Sequence, residues 1–123
     1  MVDLHCHILP GIDDGAQTIE DSLAMAEDAI RDGITCVVAT PHASTEYHFD
    51  YAKVRAAREE LQSRLDGRLA IATGCDFHLN PENLLALKND QRLIASTRKT
   101  TCWWNSTSFR FHSPWIRRCM NCT

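Results

Sequence analysis

Histidines and aspartates recur in this 123-residue chain directly after short apolar runs. His5 and His7 follow the first run, His42 follows the second, and Asp76 and His78 follow the third. Imidazole nitrogens combined with carboxylate oxygens favour Mn, Fe or Zn over Ca or Mg. The pattern therefore indicates a divalent metal site that is assembled from three separate segments of the chain.

Each of these features has a more ordinary explanation when it stands alone. A His-x-His pair is often structural. Adjacent acids such as Asp13 and Asp14, which lie in the loop after the first run, often form a solvated turn or cap a helix. A Pro-His pair such as Pro41-His42 is often part of an ordinary loop. The coincidence of all three at successive strand ends favours the metal site.

The apolar pattern predicts three β-strands that alternate with three α-helices. Short apolar or β-branched runs are typical of buried parallel strands, and helical spacing of apolar residues marks the segments between them. Thr18 is the predicted N-cap of the first helix, and Asn80 that of the third, with Pro81 in its first turn. The segments after the second and third strands, 43–50 and 74–78, are predicted loops. The strands are predicted at 2–5, 34–39 and 68–73, and the helices at 19–32, at 51–65 and from 81 onward.

The order βαβαβα implies right-handed crossovers and a parallel sheet or barrel. Loops at the carboxyl ends of parallel strands converge on one face, which would bring the histidines and aspartates together. A complete (β/α)₈ barrel takes on the order of 250 residues, so this chain is too short to form one.

Charge and aromatic content change abruptly near residue 90. All sixteen acidic residues lie in 1–90 together with seven basic ones, which gives a formal charge of −9. Residues 91–123 contain six basic residues, no acid and all three tryptophans, a charge of +6. Such a tail is typical of an arm that binds nucleic acid, or of sequence that was not selected to fold with the rest.

Composition limits the class of protein. With 44% apolar and 24% charged residues the chain fits one globular domain. No apolar run approaches the ~20 residues of a membrane span, and residues 1–15 lack the pattern of a secretory signal. The expected compartment is therefore the cytoplasm.

Three motifs resemble those of one known family. Residues 5–15 read His-Cys-His-Ile-Leu-Pro-Gly-Ile-Asp-Asp-Gly, and Ala-Thr-Pro-His at 39–42 and Gly-Cys-Asp-Phe-His-Leu at 74–79 follow in order. Together they resemble the bacterial capsular-polysaccharide type tyrosine phosphatases, which are PHP (polymerase and histidinol phosphatase) metal-dependent hydrolases. The resemblance covers about residues 1–90.

This resemblance implies an α/β fold, the distorted PHP-type (β/α)₇ barrel, of which 1–90 would be the N-terminal portion with about three βα units. It implies a cluster of divalent metals, usually manganese, with His5 and His7 on one ion and Asp14 and His42 on another. Asp76 falls where the family has an acidic ligand, often Glu. The implied reaction is hydrolysis of phosphotyrosine on proteins, notably the autokinases that control capsule and exopolysaccharide synthesis.

Residue roles follow from that resemblance and from the chemistry of a dianionic ester. Asp14 and His42 are the candidate catalytic residues as well as ligands, because bound metals can supply hydroxide and clamp the phosphoryl oxygens. Asp13 and His78 are expected around the ligands or facing the substrate. A cysteine-based phosphatase is not supported, since no Cys has Arg six positions on, and Cys6 is expected to pack against the barrel wall.

The genetic code links the tail to the same family. Trp has a single codon, so Cys102-Trp-Trp-Asn105 read from each third codon position gives Leu-Val-Glu. Cys119-Met-Asn-Cys122 read in the same way gives Tyr or His, then Glu and Leu. These fragments resemble the family's next strand and the helix after it. We therefore interpret 91–123 as out of frame, with the slip between about 89 and 93.

Two other functions stay open at this stage. One is a different PHP phosphoesterase, such as a histidinol-phosphate phosphatase. The other is a non-enzyme whose basic tail binds a partner, although we do not expect nucleic-acid binding. As written, the chain is expected to be poorly folded and nearly inactive, because its last strand would have an open edge. The sequence does not indicate an oligomeric state.

Overall fold

A computed structural model of the chain describes residues 1–89, and these fold as a mixed α/β structure with parallel sheets. The alternation of strands and helices follows the predicted order, with two further short strands. None of the helices within 1–89 is both long and apolar enough to cross a membrane. The elements are β1 (Val2–Cys6), α1 (Ile19–Arg31), β2 (Cys36–Ala39), β3 (His42–Ala43), α2 (Tyr51–Arg64), β4 (Ala70–Thr73), β5 (Asp76–Phe77) and α3 (Pro81–Asn89).

The main sheet has the strand order β1-β2-β4, and both strand pairs are parallel. β2 is central and all four of its residues are buried. A continuous apolar strand of this kind suits a position that is covered on both faces. The three predicted strands therefore pair as expected, and their carboxyl ends lie at the same edge of the sheet.

Two segments that were predicted as loops contain short strands, so that prediction is wrong for part of each. β3 and β5 form a separate parallel pair in which His42 is opposite Asp76 and Ala43 is opposite Phe77. A two-residue strand is too short to show alternation of apolar and polar residues, and its partner lies more than thirty residues away. Sequence periodicity therefore has nothing to detect here.

The helix ends agree with the sequence. Thr18 caps α1 through a reciprocal capping box, in which its side chain accepts from the Asp21 N–H and Asp21 accepts from the Thr18 N–H. Gly33 follows that helix with a φ of 78°, a left-handed conformation that costs glycine no steric clash. The side chain of Asn80 accepts from the backbone N–H of Asn83 at the start of α3. Both predicted N-caps are confirmed.

The outer edge of β4 is covered by side chains of α2. The amide of Gln62 accepts from the Ile71 N–H at 2.8 Å and donates to the Leu69 carbonyl at 3.0 Å. Arg58 donates to the Ile71 carbonyl at 2.9 Å. β4 is an edge strand within 1–89, as predicted, but the expectation that this edge is open is wrong at these three backbone groups. The Gln62 amide takes the position that a neighbouring strand would occupy, so these groups have hydrogen-bond partners without one.

Replacing Gln62 with alanine tests this edge contact. The Q62A variant should be destabilised by about 1–2 kcal/mol, because it leaves the N–H of the buried Ile71 without a protein acceptor. Chemical denaturation followed by far-UV circular dichroism measures the loss. Arg64→Ala, which removes an exposed ion pair on the same helix, is the matched control and should change stability by less than about 0.5 kcal/mol. Equal effects of the two substitutions would contradict the proposed role of Gln62.

Candidate metal centre

His5 and His7 lie at the end of β1, where the strand is irregular. The pairing register with β2 shifts between Asp3 and Cys6, and the His5 N–H donates to the Asp3 side chain at 3.1 Å. With the strand bent in this way, the Nε2 atoms of His5 and His7 face each other at 3.2 Å. The bend that a His-x-His pair needs to present both rings on one side is therefore present.

The spacing of these two nitrogens fits two donors to one ion. Donors about 2.1 Å from an ion are separated by roughly 3.0–3.4 Å at bond angles between about 90° and about 109°. His7 directs its other nitrogen, Nδ1, to the carboxylate of Asp13 at 2.7 Å. Because an ionised carboxylate only accepts, Nδ1 of His7 carries the proton, and the lone pair of its Nε2 points at His5.

The carboxylate of Asp13 accepts from three segments of the chain. Its donors are His7 Nδ1–H at 2.7 Å, the backbone N–H of His42 at 3.0 Å and that of Gly15 at 3.1 Å. Asp13 is only 6% exposed. Burial by itself would raise the pKa of this carboxyl, but the hydrogen bonds from His42, His7 and Gly15 outweigh burial and hold the pKa below its usual value. Asp13 therefore stays ionised and orients His7.

His42 lies between two carboxylates. Its Nε2 is 3.3 Å from Asp14 Oδ1, and its Nδ1 is 3.0 Å from Asp76 Oδ2. The Nδ1 atom is buried and lacks a partner with hydrogen-bond geometry, although the Asp76 oxygen is so close. The short distance without hydrogen-bond geometry is compatible with two ligands of a common cation.

The predicted site residues come together in three overlapping groups. In each group the donor atoms lie within 4.8 Å of one another. Asp76 links the first strand's histidines to His42, and His78 lies beside both Asp76 and His42. The groups are His7 with Asp13, Asp14 and His42; His5 with His7 and Asp76; and His42 with Asp76 and His78. The donor set of imidazoles and carboxylates fits a transition-type divalent ion.

The loop between β1 and α1 is shaped by a close approach to His7. A Cβ atom at Gly15 would overlap the carbonyl oxygen and Cβ of His7. The loop is also anchored from within, because Ile8 and Leu9 are each 1% exposed and belong to the core. Gly15 therefore lets the acidic loop fold back onto the histidine that Asp13 orients.

The environment of the two thiols near the site does not favour a nucleophilic thiolate. Cys6 packs against the core, as the sequence predicted. Burial, reinforced by the charges of Asp3 and Asp13, raises the pKa of Cys6 to about 11. Burial and the charge of Asp76 raise the pKa of Cys75 to about 12. Both thiols are protonated near neutral pH, whereas a cysteine phosphatase would need a thiolate.

Sequence reasoning gave no role to three residues that position the site. Thr40 lies 3.2 Å from His5 Nδ1 and also accepts from the Cys6 N–H. Gly15 belongs to the first motif but had no role of its own, and Asn83 holds the β3–β5 pair by donating to the carbonyls of Ala43 and His78. The tight Asp-Asp-Gly turn was the one available signal. The tail motifs at 102–105 and 119–122 lie outside the described residues.

Comparison with known proteins identifies the family. A model of the family described as "Capsular polysaccharide synthesis, CpsB/CapC" matches residues 1–101. The chain belongs to the CpsB/CapC family. This confirms the resemblance that the three sequence motifs carry, and the match includes all the candidate metal-site residues.

Several curated relatives share this part of the chain. The tyrosine-protein phosphatase YwqE of Bacillus subtilis is 48% identical over 66 residues, which cover 53% of this chain and 26% of the relative. The putative tyrosine-protein phosphatase CapC of Staphylococcus aureus is 30% identical over 95 residues, 74% of this chain and 37% of the relative. The chain thus spans between about a quarter and two fifths of the length of such relatives.

A solved structure supports the same assignment. The chain is similar to a structure from a study of YwqE from Bacillus subtilis and CpsB from Streptococcus pneumoniae, described as metal-dependent tyrosine phosphatases. The TM-score is 0.62 at 38% sequence identity, over 72% of this chain and 38% of the solved one. Over the matched part, the described α/β architecture is therefore similar to that of the solved structure.

Replacing Gly15 with alanine tests the packing of the acidic loop. The G15A variant should lose stability at or beyond the upper end of the roughly 1–3 kcal/mol typical of overpacking, because the added methyl group would overlap the backbone carbonyl of His7. Gly67→Ala is the control: it also lies in a loop, its φ is 76°, and open space surrounds it. That control should cost only about 1 kcal/mol from its backbone conformation. Thermal unfolding of both variants checks the difference, and a smaller loss for Gly15→Ala would refute the close approach.

Replacing Asp13 with asparagine tests the buried carboxylate. The lowered pKa of Asp13 means that the ionised form stabilises the fold above the unfolded-state pKa of about 3.9, and that this stabilisation is lost as pH falls. D13N should therefore be less stable than the parent by about 1–3 kcal/mol near pH 7. The difference in free energy of unfolding between the parent and D13N should become smaller below about pH 4. Urea denaturation at several pH values measures this difference, with the exposed Asp28→Asn variant as control. A difference that does not change with pH would contradict a stabilising role of the ionised Asp13 carboxylate.

Proposed function

We propose that the described residues form part of the metal centre of a protein-tyrosine phosphatase that hydrolyses phosphotyrosine on proteins. The observation that carries this proposal is the convergence of His5, His7, Asp14, His42 and Asp76 from three strand ends within one small region. The unpartnered Nδ1 of His42 and the facing nitrogens of His5 and His7 support cation binding there.

Each ligand has a role in this proposal. His5 and His7 would hold one divalent ion, and Asp14 and His42 a second, with the two oxygens of Asp76 available to both groups. Bound divalent ions supply hydroxide near neutral pH and polarise the phosphoryl group. Asp13 keeps His7 in the tautomer that ligates, and Asp14, which is largely exposed, faces the solvent from which the substrate comes.

The substrate class follows from the relatives. Proteins named tyrosine-protein phosphatase match this chain over 66 to 96 residues, and the matched structure is described as metal-dependent. A tyrosine-phosphorylated autokinase of capsule or exopolysaccharide synthesis is the proposed partner. We propose manganese as the metal and the cytoplasm as the compartment. The protonated thiols of Cys6 and Cys75 leave metal-assisted hydrolysis as the route that this site supports.

The proposal extends to the architecture. Residues 1–90 would supply about three βα units of a distorted (β/α)₇ barrel, and 91–123 would be read out of frame. The barrel would need further strands beside β4, at the edge that Gln62 and Arg58 cover in this structure. The nucleotide sequence across codons 88–125 tests the frame directly, since an intact reading frame there would remove the idea of a slip.

Hydrolysis of a phosphotyrosine peptide with added Mn²⁺ tests the activity. We expect the 123-residue chain to be nearly inactive, and a chain with its frame restored to turn over the peptide and to lose activity on chelation. His42→Ala should reduce that turnover more than about 100-fold, since the loss of a ligand exceeds the 10–100-fold typical of an outer partner. Cys6→Ser should change it little.

The outcomes separate the alternatives. Preference of the restored chain for histidinol phosphate over the phosphotyrosine peptide would replace the proposed substrate with that of another PHP phosphoesterase. Activity that survives chelation but disappears in Cys6→Ser would overturn the metal route altogether. Robust manganese-dependent turnover by the 123-residue chain would show that the expected inactivity is wrong.

A further inference from the structure

The β3–β5 pair places one more imidazole at the proposed centre. We propose that His78 is a direct ligand and that, together with His42 and Asp76, it holds a divalent ion at this edge of the fold. This inference rests on the proposed metal centre, and it adds a ligand that the family motifs did not suggest. Three observations support it: strand alternation, donor spacing and a fixed backbone.

Strand alternation puts His78 on the same side as Asp76. Side chains two residues apart along an extended segment point to the same face. The intervening Phe77 packs against the hydrophobic core, so its neighbours face away from the core and toward His42. The register of the pair, with His42 opposite Asp76, then brings the three donors together.

The spacing of the donors fits coordination better than hydrogen bonding. Nε2 of His78 is 3.6 Å from Asp76 Oδ2, which is too long for a hydrogen bond. The same oxygen lies 3.0 Å from His42 Nδ1, the buried nitrogen without a hydrogen-bond partner. With bonds of about 2.1 Å to one ion, the 3.0 Å separation corresponds to a bond angle of about 90° and the 3.6 Å separation to one of about 120°. The three donor atoms lie within 4.8 Å of one another.

The backbone of His78 is held in place although its ring is half-exposed. Its N–H donates to the Ala43 carbonyl at 3.1 Å, and its carbonyl accepts from the Asn83 side chain at 2.7 Å. Asn83 also donates to Ala43 at 2.7 Å, so one amide ties β3, β5 and α3 together. The side chain of His78 is 52% exposed. A hydrogen-bonded backbone combined with a half-exposed ring suits a ligand of an ion that also binds water or substrate.

The donor set defines the class of ion. Two imidazole nitrogens and one carboxylate favour Zn²⁺, Co²⁺, Mn²⁺ or Fe²⁺ over Mg²⁺ or Ca²⁺. His78 supplies the second imidazole on the same face as Asp76, directly after β5.

Titration of the 123-residue chain with Co²⁺ tests the inference without any enzyme assay. His78→Gln should lose one binding equivalent or weaken it about 10–100-fold, with loss of the corresponding visible absorption. His48→Gln, which removes an exposed histidine outside the three groups, is the matched control and should titrate like the parent. Far-UV circular dichroism of each variant reports whether the fold is kept.

A second variant decides the case if His78→Gln does not fold. Ligation by a thiolate adds a sulfur-to-cobalt charge-transfer band, so His78→Cys should gain that band over the parent and over His48→Cys. An unchanged Co²⁺ titration of His78→Gln, or no extra band for His78→Cys, would overturn the role of His78 while the centre stands. Absence of any Co²⁺ binding by the parent chain would instead refute the proposed centre, and this inference with it.

Discussion

The site is organised by one buried carboxylate. Asp13 accepts from the His7 ring and from the backbone N–H groups of Gly15 and His42, so it joins the end of β1, the acidic loop and the start of β3. A buried carboxylate is costly unless donors surround it. Because all three donors come from segments that carry candidate ligands, the arrangement that stabilises this charge also orients the imidazoles of His7 and His42.

The parts of the fold that repeat regularly were predictable from sequence. The β-branched run in β2, the helical spacing in α1 and the capping residue Thr18 each have a local physical cause that the sequence displays. The candidate site followed from topology. Residues at the carboxyl ends of parallel strands lie at one edge of the sheet, so the predicted strand order alone placed His5, His42 and Asp76 together.

What the sequence could not predict depends on long-range contacts. The pairing of His42 with Asp76 joins two strands of two residues each. The side-chain amide of Gln62 accepts the hydrogen bond from Ile71 that a neighbouring strand would otherwise accept. Neither contact produces a periodic pattern in the sequence. The first is a single strand pairing and the second a single side chain, and both depend on how α2 packs against the sheet. Asp13 lies beside a candidate ligand, as expected, but its donors could not be predicted, since two of the three are backbone groups.

Within residues 1–89, the backbone groups at the edge of β4 and the donor atoms around Asp76 differ in whether they find partners inside the segment. Three backbone groups at the edge of β4, those of Leu69 and Ile71, find hydrogen-bond partners in Gln62 and Arg58, so these groups do not by themselves require another strand. The donors around Asp76 and His42 are different, because two anionic or lone-pair atoms at 3.0 Å repel unless a proton or a cation lies between them. A proton or a cation between Asp76 Oδ2 and His42 Nδ1 would relieve this repulsion, so within residues 1–89 we expect a bound cation to act on the geometry of this pair.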